Sequence, residues 1–116
     1  MQKRILIAED DKLTREALTS FAKKHGYDVS AVANGVDLLT NVTFESYDVV
    51  ITDLLMADLN GASAAAIMKM HGNATPVIAL TGVSPEDTVL LKDNFTKILH
   101  KPVNIKELFE YVSSLV

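Results

Sequence analysis

Ile5-Leu6-Ile7-Ala8 runs straight into Glu9-Asp10-Asp11. A short apolar run rich in branched residues reads as a buried strand, and an acidic cluster at its carboxyl end closes it. Three further runs have the same character: Val49-Val50-Ile51, Val77-Ile78-Ala79-Leu80 and Ile98-Leu99. Tyr27-Asp28-Val29-Ser30-Ala31-Val32 alternates apolar with polar and makes a fifth strand candidate. Segments of helical period lie between them. Leu13, Ala17, Leu18 and Phe21 mark one face of the first, and Gly26 is placed to stop it. Asn34 can cap a second helix, with Leu38, Leu39 and Val42 inward. Ala62 to Met70 is rich in good helix formers. Ser84-Pro85-Glu86-Asp87 predicts the start of a fourth helix, and Asn104 with Glu107 that of a fifth.

Five strands alternating with five helices predict a doubly wound α/β fold, flavodoxin-like, with one parallel sheet. The continuous runs of the first, third and fourth strands suit central positions. The alternating second strand and the lysine-flanked fifth, Lys97 to Lys101, suit edges. The order 2-1-3-4-5 satisfies this pattern, although other orders do as well.

The composition sets bounds. The 116 residues are enough for one domain, read here as 1–116, with 48% hydrophobic and 22% charged residues. No cysteine is present, which removes disulfides, thiolate metal sites and thiol nucleophiles. A net charge of −4 argues against nucleic-acid binding by broad phosphate contact. No apolar stretch reaches signal-peptide or membrane-spanning length, so a cytoplasmic protein without membrane insertion is expected. None of the five glycines forms a P-loop or G-x-G-x-x-G pattern, against a nucleotide site.

In an open parallel sheet, ligands sit beyond the carboxyl ends of the strands at the switch point. In the order 2-1-3-4-5 that point lies between strand 1, ending in Glu9-Asp10-Asp11, and strand 3, ending in Asp53. Clustered carboxylates repel unless something neutralises them, and Mg2+ takes oxygen ligands of this kind. Asp10 with Asp53 is the candidate metal pair, whereas Asp11 reads more simply as a helix cap. Thr81 ends strand 4 and Lys101 ends strand 5, so a phosphoryl group there would meet a hydroxyl and an ammonium. His25, His71 and His100 lack mutual metal-ligand spacing.

These residues resemble the receiver domain of two-component response regulators, the CheY-like superfamily. The resemblance rests on Ile5 to Asp11, Asp53-Leu54-Leu55-Met56 with Gly61, Ala79-Leu80-Thr81-Gly82 and Lys101-Pro102, in order over the whole chain. It implies a phosphorelay component in which Asp53 accepts a phosphoryl group from a phosphohistidine. The donor would be a histidine kinase or a histidine phosphotransfer protein. Asp10 and Asp53 would ligate Mg2+ directly, Glu9 through water, and Leu55 through its backbone carbonyl. Thr81 and Lys101 would bind phosphoryl oxygens, with the Lys101-Pro102 peptide cis. Such a domain signals rather than turns over substrate, its chemistry limited to its own phosphorylation and dephosphorylation.

The resemblance also implies partner faces. Donors dock on the first helix, where Thr14 and Ala17 are contact candidates and Leu18 packs inward. The fourth helix, fifth strand and fifth helix form the output face, toward a downstream protein, an attached output domain or a second copy in a homodimer. There Val89-Leu90-Leu91 is too continuously apolar for one buried stripe. The chain would be either a stand-alone regulator or a receiver from a longer response regulator or hybrid kinase. It departs from the family pattern at Ile98, where most members carry an aromatic, and at Ala57, where proline is frequent. Leu55 and Val83 would flank the site with apolar side chains and slow dephosphorylation. Two other readings compete: a receiver-like interaction module without phosphorylation, and a Mg2+-dependent phosphatase with an aspartyl nucleophile. The second wants an acid two residues after Asp53, where Leu55 stands.

Overall fold

The computed structural model describes residues 2–56, 58–82 and 89–116, with backbone only for 89–91. Five strands form a single parallel sheet in the order β2-β1-β3-β4-β5. They are β1 (Arg4–Ala8), β2 (Asp28–Val32), β3 (Val49–Asp53), β4 (Val77–Thr81) and β5 (Lys97–His100). Helices α1 (Lys12–Lys24), α2 (Gly35–Phe44), α3 (Gly61–Met70) and α4 (Ile105–Leu115) cover its two faces. The strand order selected by burial is the one observed. β3 and β4 are buried at every residue, while β2 and β5 are partly exposed, as edge strands are.

Alternation along the strands divides the core in two. Leu6, Val50 and Ala79 face Leu38, Ala64 and Met68 of α2 and α3. Ile5, Ile7, Ile51 and Ile78 face Leu18 and Ala22 of α1 and Leu108, Phe109 and Val112 of α4. Each such fully buried branched side chain stabilises the fold by about 1.5–3 kcal/mol. Loss of Ile51 to alanine would cost about 2–5 kcal/mol and breach the layer under α1 and α4.

The helix ends follow side-chain chemistry. Asp11 caps α1, accepting from the Thr14 amide at 2.9 Å, so its role as a cap is borne out. Asn34, Asn60 and Asn104 cap α2, α3 and α4, each through its side-chain oxygen. Gly26 follows α1 with φ +85°, a conformation only glycine adopts cheaply.

One expectation is revised. Leu13 and Ala17 do not share the buried face of α1: Leu13 is 76% exposed, and the inward stripe runs through Leu18 and Ala22. Leu13 sits in the first turn of α1, where it lines an open groove with Pro102 and Ile105. Between β4 and β5 the described backbone forms a 3-10 helix over Val89–Asn94. The Ser84-Pro85 start predicted for the fourth helix, Val83, Ala57 and the side chains of Val89, Leu90 and Leu91 lie outside the described residues. Among the described residues no helix is long and apolar enough to cross a membrane.

Candidate functional site

Register builds the site. Ala8 pairs with Thr52, so the next residues, Glu9 and Asp53, leave adjacent strands at one level. Asp53 pairs with Leu80, which places Thr81 one residue further along. Thr81 pairs with His100, and the Lys101 amide donates to the Thr81 carbonyl at 2.7 Å. Four strands thus deliver their terminal polar residues to one rim of the sheet.

Carboxylate oxygens of Glu9, Asp10 and Asp53 lie within 4.8 Å of one another. Glu9 and Asp53 are buried, and Asp10 is exposed. Lys101 reaches into the cluster, its Nζ 2.8 Å from Asp53 Oδ2 and 3.3 Å from Glu9 Oε1. Burial opposes the ammonium charge, but bonds and charges from Asp53 and Glu9 outweigh it and hold Lys101 above its ordinary pKa. Glu9 is pushed up to about 7, first by burial and then by its hydrogen bond with Asp53. A buried acid that resists ionisation beside two others is a set of hard oxygen donors without enough positive charge. That donor chemistry fits a small hard dication.

The surrounding loops are held by specific ties. The Leu55 amide donates to Asp53 Oδ1 at 3.2 Å, while the Leu55 side chain is 62% exposed. Thr81 is fully buried. The Lys101-Pro102 peptide is cis, as the resemblance implied. A groove of about 410 Å3 opens beside Lys101, lined among others by Leu13, Thr14, Ala17, Pro102 and Ile105.

Some residues of the site escaped the sequence reading. Arg15 reaches back from α1, its Nη1 donating to the carbonyls of Glu9 at 2.8 Å and Asp10 at 3.4 Å. Asp58 accepts from the amides of Leu59, Gly35 and Val36, which fastens the loop after β3 to the start of α2 and holds its carboxyl below the ordinary range. A side chain on Gly61 would strike the Asp53 carbonyl, and one on Gly35 would strike the Leu59 carbonyl. The arginine one turn into the helix after an acidic turn was the available signal for the first tie. The Asp58 contact spans 23 residues and left no local signal.

An open parallel sheet in this order, with acids and a lysine at the switch point, is of the flavodoxin-like class that handles anionic groups there. Residues 5–113 match the response regulator receiver domain, and the chain belongs to that family. It is similar to the transcription factor SKN7 of Candida albicans, 32% identical over 94% of this chain and 20% of that protein. It is also similar to the DNA-binding response regulator MtrA of Mycobacterium tuberculosis, 30% identical over 93% of this chain and 48% of that protein. The chain therefore spans from about a fifth to about half of these curated relatives. Among solved structures it is similar to TrrA from Thermotoga maritima in complex with Mg(2+)-BeF. That match has a TM-score of 0.90 and 29% identity, over 99% of this chain and all (100%) of that one.

Proposed function

We propose that residues 1–116 act as one phosphoacceptor unit in which Asp53 receives a phosphoryl group from a phosphohistidine on a kinase or phosphotransfer protein. The observation that carries this reading is the meeting of Glu9, Asp10 and Asp53 at one point, with Lys101 bonded to Asp53. An Asp53 oxygen attacks phosphorus. A P–O bond forms as the P–N bond to the donor imidazole breaks, and the electron pair leaves with the ring nitrogen. Lys101 meets the charge that gathers on the phosphoryl oxygens, and the Thr81 hydroxyl takes another oxygen.

Glu9, Asp10, Asp53 and the Leu55 carbonyl would hold Mg2+. When bound, the ion neutralises the acids and the transferring oxygens as a Lewis acid. The Mg(2+)-BeF complex of TrrA supports that assignment by similarity.

The donor docks over the first turns of α1. Leu13, Thr14 and Ala17 flank the groove beside Lys101, an apolar collar next to the acids. Thr14 donates its hydroxyl to Asp11 at 2.6 Å, so Leu13 and Ala17 offer the freer contacts. The output face is the 3-10 segment, β5 and α4, toward a downstream protein, an attached output domain or a second copy. The domain itself contacts no nucleic acid. It works in the cytoplasm as a signalling component and not as a turnover enzyme. Leu55, where a phosphatase of this kind places its second acid, favours that reading.

Incubation with acetyl phosphate and Mg2+, followed by intact mass measurement, tests the reading. One phosphoryl adduct is expected in the wild type and none with EDTA or in Asp53→Asn. An undiminished adduct in Asp53→Asn overturns it.

A further inference from the structure

We infer that Arg15 is the positioning residue of the acid pair: it fixes Glu9 and Asp10 in the spacing that cation binding requires. The inference rests on the Mg2+ site proposed above. β1 ends at Ala8, and α1 begins at Lys12. Residues 9 to 11 must therefore turn a corner while carrying three consecutive carboxylates. Repulsion among those charges works to open the turn.

Four hydrogen bonds hold it closed. The Glu9 amide still donates to Val32 of the edge strand at 3.0 Å, which extends the sheet by one bond. The Asp11 amide donates to Glu9 Oε2 at 3.2 Å. Arg15 Nη1 then donates to the Glu9 carbonyl at 2.8 Å and reaches the Asp10 carbonyl at 3.4 Å. One guanidinium nitrogen thus spans the two peptide groups from which the candidate ligands hang. Arg15 is half-buried and sits on a helix anchored in the core by Leu18 and Ala22, so the tie is referred to a rigid element. Both contacts are made from Nη1, one bond farther along the side chain than a lysine Nζ, so an ammonium at this position falls short of them.

Charge and geometry predict opposite signs, which makes the role measurable. Arg15 is a cation close to a cation site. If only its charge mattered, removing it would tighten Mg2+ binding. If it positions the acids, removing it weakens Mg2+ binding, as loss of a residue orienting metal ligands commonly does by about tenfold or more.

The test is titration of the unphosphorylated protein with MgCl2 by calorimetry, for wild type, Arg15→Gln and Arg15→Lys, with thermal unfolding in EDTA as a folding control. Arg15→Gln is expected to bind Mg2+ about tenfold more weakly, with Arg15→Lys also weakened although its charge is kept. Equal or tighter binding in Arg15→Gln overturns the inference while leaving the Mg2+ site standing. Should Arg15→Gln fail to fold, Arg15→Lys decides the matter alone: weakened binding supports the tie, and wild-type affinity overturns the inference. A wild type that binds no Mg2+ refutes the site and this inference together.

Discussion

Lys101 Nζ lies 2.8 Å from Asp53 Oδ2, across 48 residues of sequence and from two strands separated by β4. On the proposed reading, this lysine meets the charge of the phosphoryl group that Asp53 receives. Transfer would then exchange an Asp53–Lys101 ion pair for a phosphoryl–Lys101 pair. The ammonium is held ready, and it need not be recruited from solvent.

Lys101→Met removes that cation and leaves Glu9 and Asp53 facing one another. Adduct formation from acetyl phosphate is expected to fall on the order of a hundredfold, the scale of losing one charged donor to a transition state. Quenched time courses followed by intact mass measure the rate. An unchanged rate would remove Lys101 from the chemistry.

Glu9 gives the apo protein an unusual pH dependence. Its folded carboxyl titrates at about 7, against an ordinary 4.5. The folded state therefore keeps a proton that the unfolded state has lost. This contribution to stability is complete below pH 4.5 and disappears as pH rises through 7. The loss is on the order of 2–3 kcal/mol. Urea unfolding in EDTA should show stability falling across that window, and Glu9→Gln should flatten the fall. MgCl2 should also flatten it, because a bound dication favours the ionised carboxylate. A wild-type apo protein equally stable at both ends of the window would contradict the assignment.

Gly61 allows the Asp53 carbonyl to pass where a side chain would stand. Gly61→Ala must push the loop away from the end of β3, at a cost of about 1–3 kcal/mol. A shift in the urea midpoint measures that cost. Slower phosphorylation in the folded variant would show that the displacement reaches Asp53.

Leu55 presents an exposed apolar side chain next to the proposed acceptor, its own amide tied to Asp53 Oδ1. Such a side chain cannot orient an attacking water. Leu55→Asn supplies a hydrogen-bonding amide and should shorten the aspartyl-phosphate lifetime by about fivefold, the worth of one hydrogen bond. A longer lifetime in the variant would reject a water-excluding role for Leu55.

Much of this site could be read before any coordinates because its parts are strand ends. Ile5 to Ala8 and Val49 to Ile51 declare themselves by composition, and the acids that close them follow directly in the chain. The edge character of β2 and β5 is likewise written in alternation and flanking lysines. What stayed hidden is tertiary. Arg15 acts through backbone carbonyls, so its place one turn after the acidic turn hints at a tie without naming the partner. Asp58 meets α2 only after the chain has crossed two layers. Leu13 carries the right period for a core face, but it is exposed in the first turn of α1, and periodicity does not show which turns of a helix the core covers.

The identity of the acceptor is tested most directly by trapping. Phosphorylated protein is reduced with borohydride, which converts an acyl phosphate to an alcohol, and the modified residue is located by peptide sequencing. Reduction confined to Asp53 is the predicted result. Reduction at Glu9 or Asp10 with Asp53 intact, or a phosphoryl group found on a histidine, would contradict the central claim.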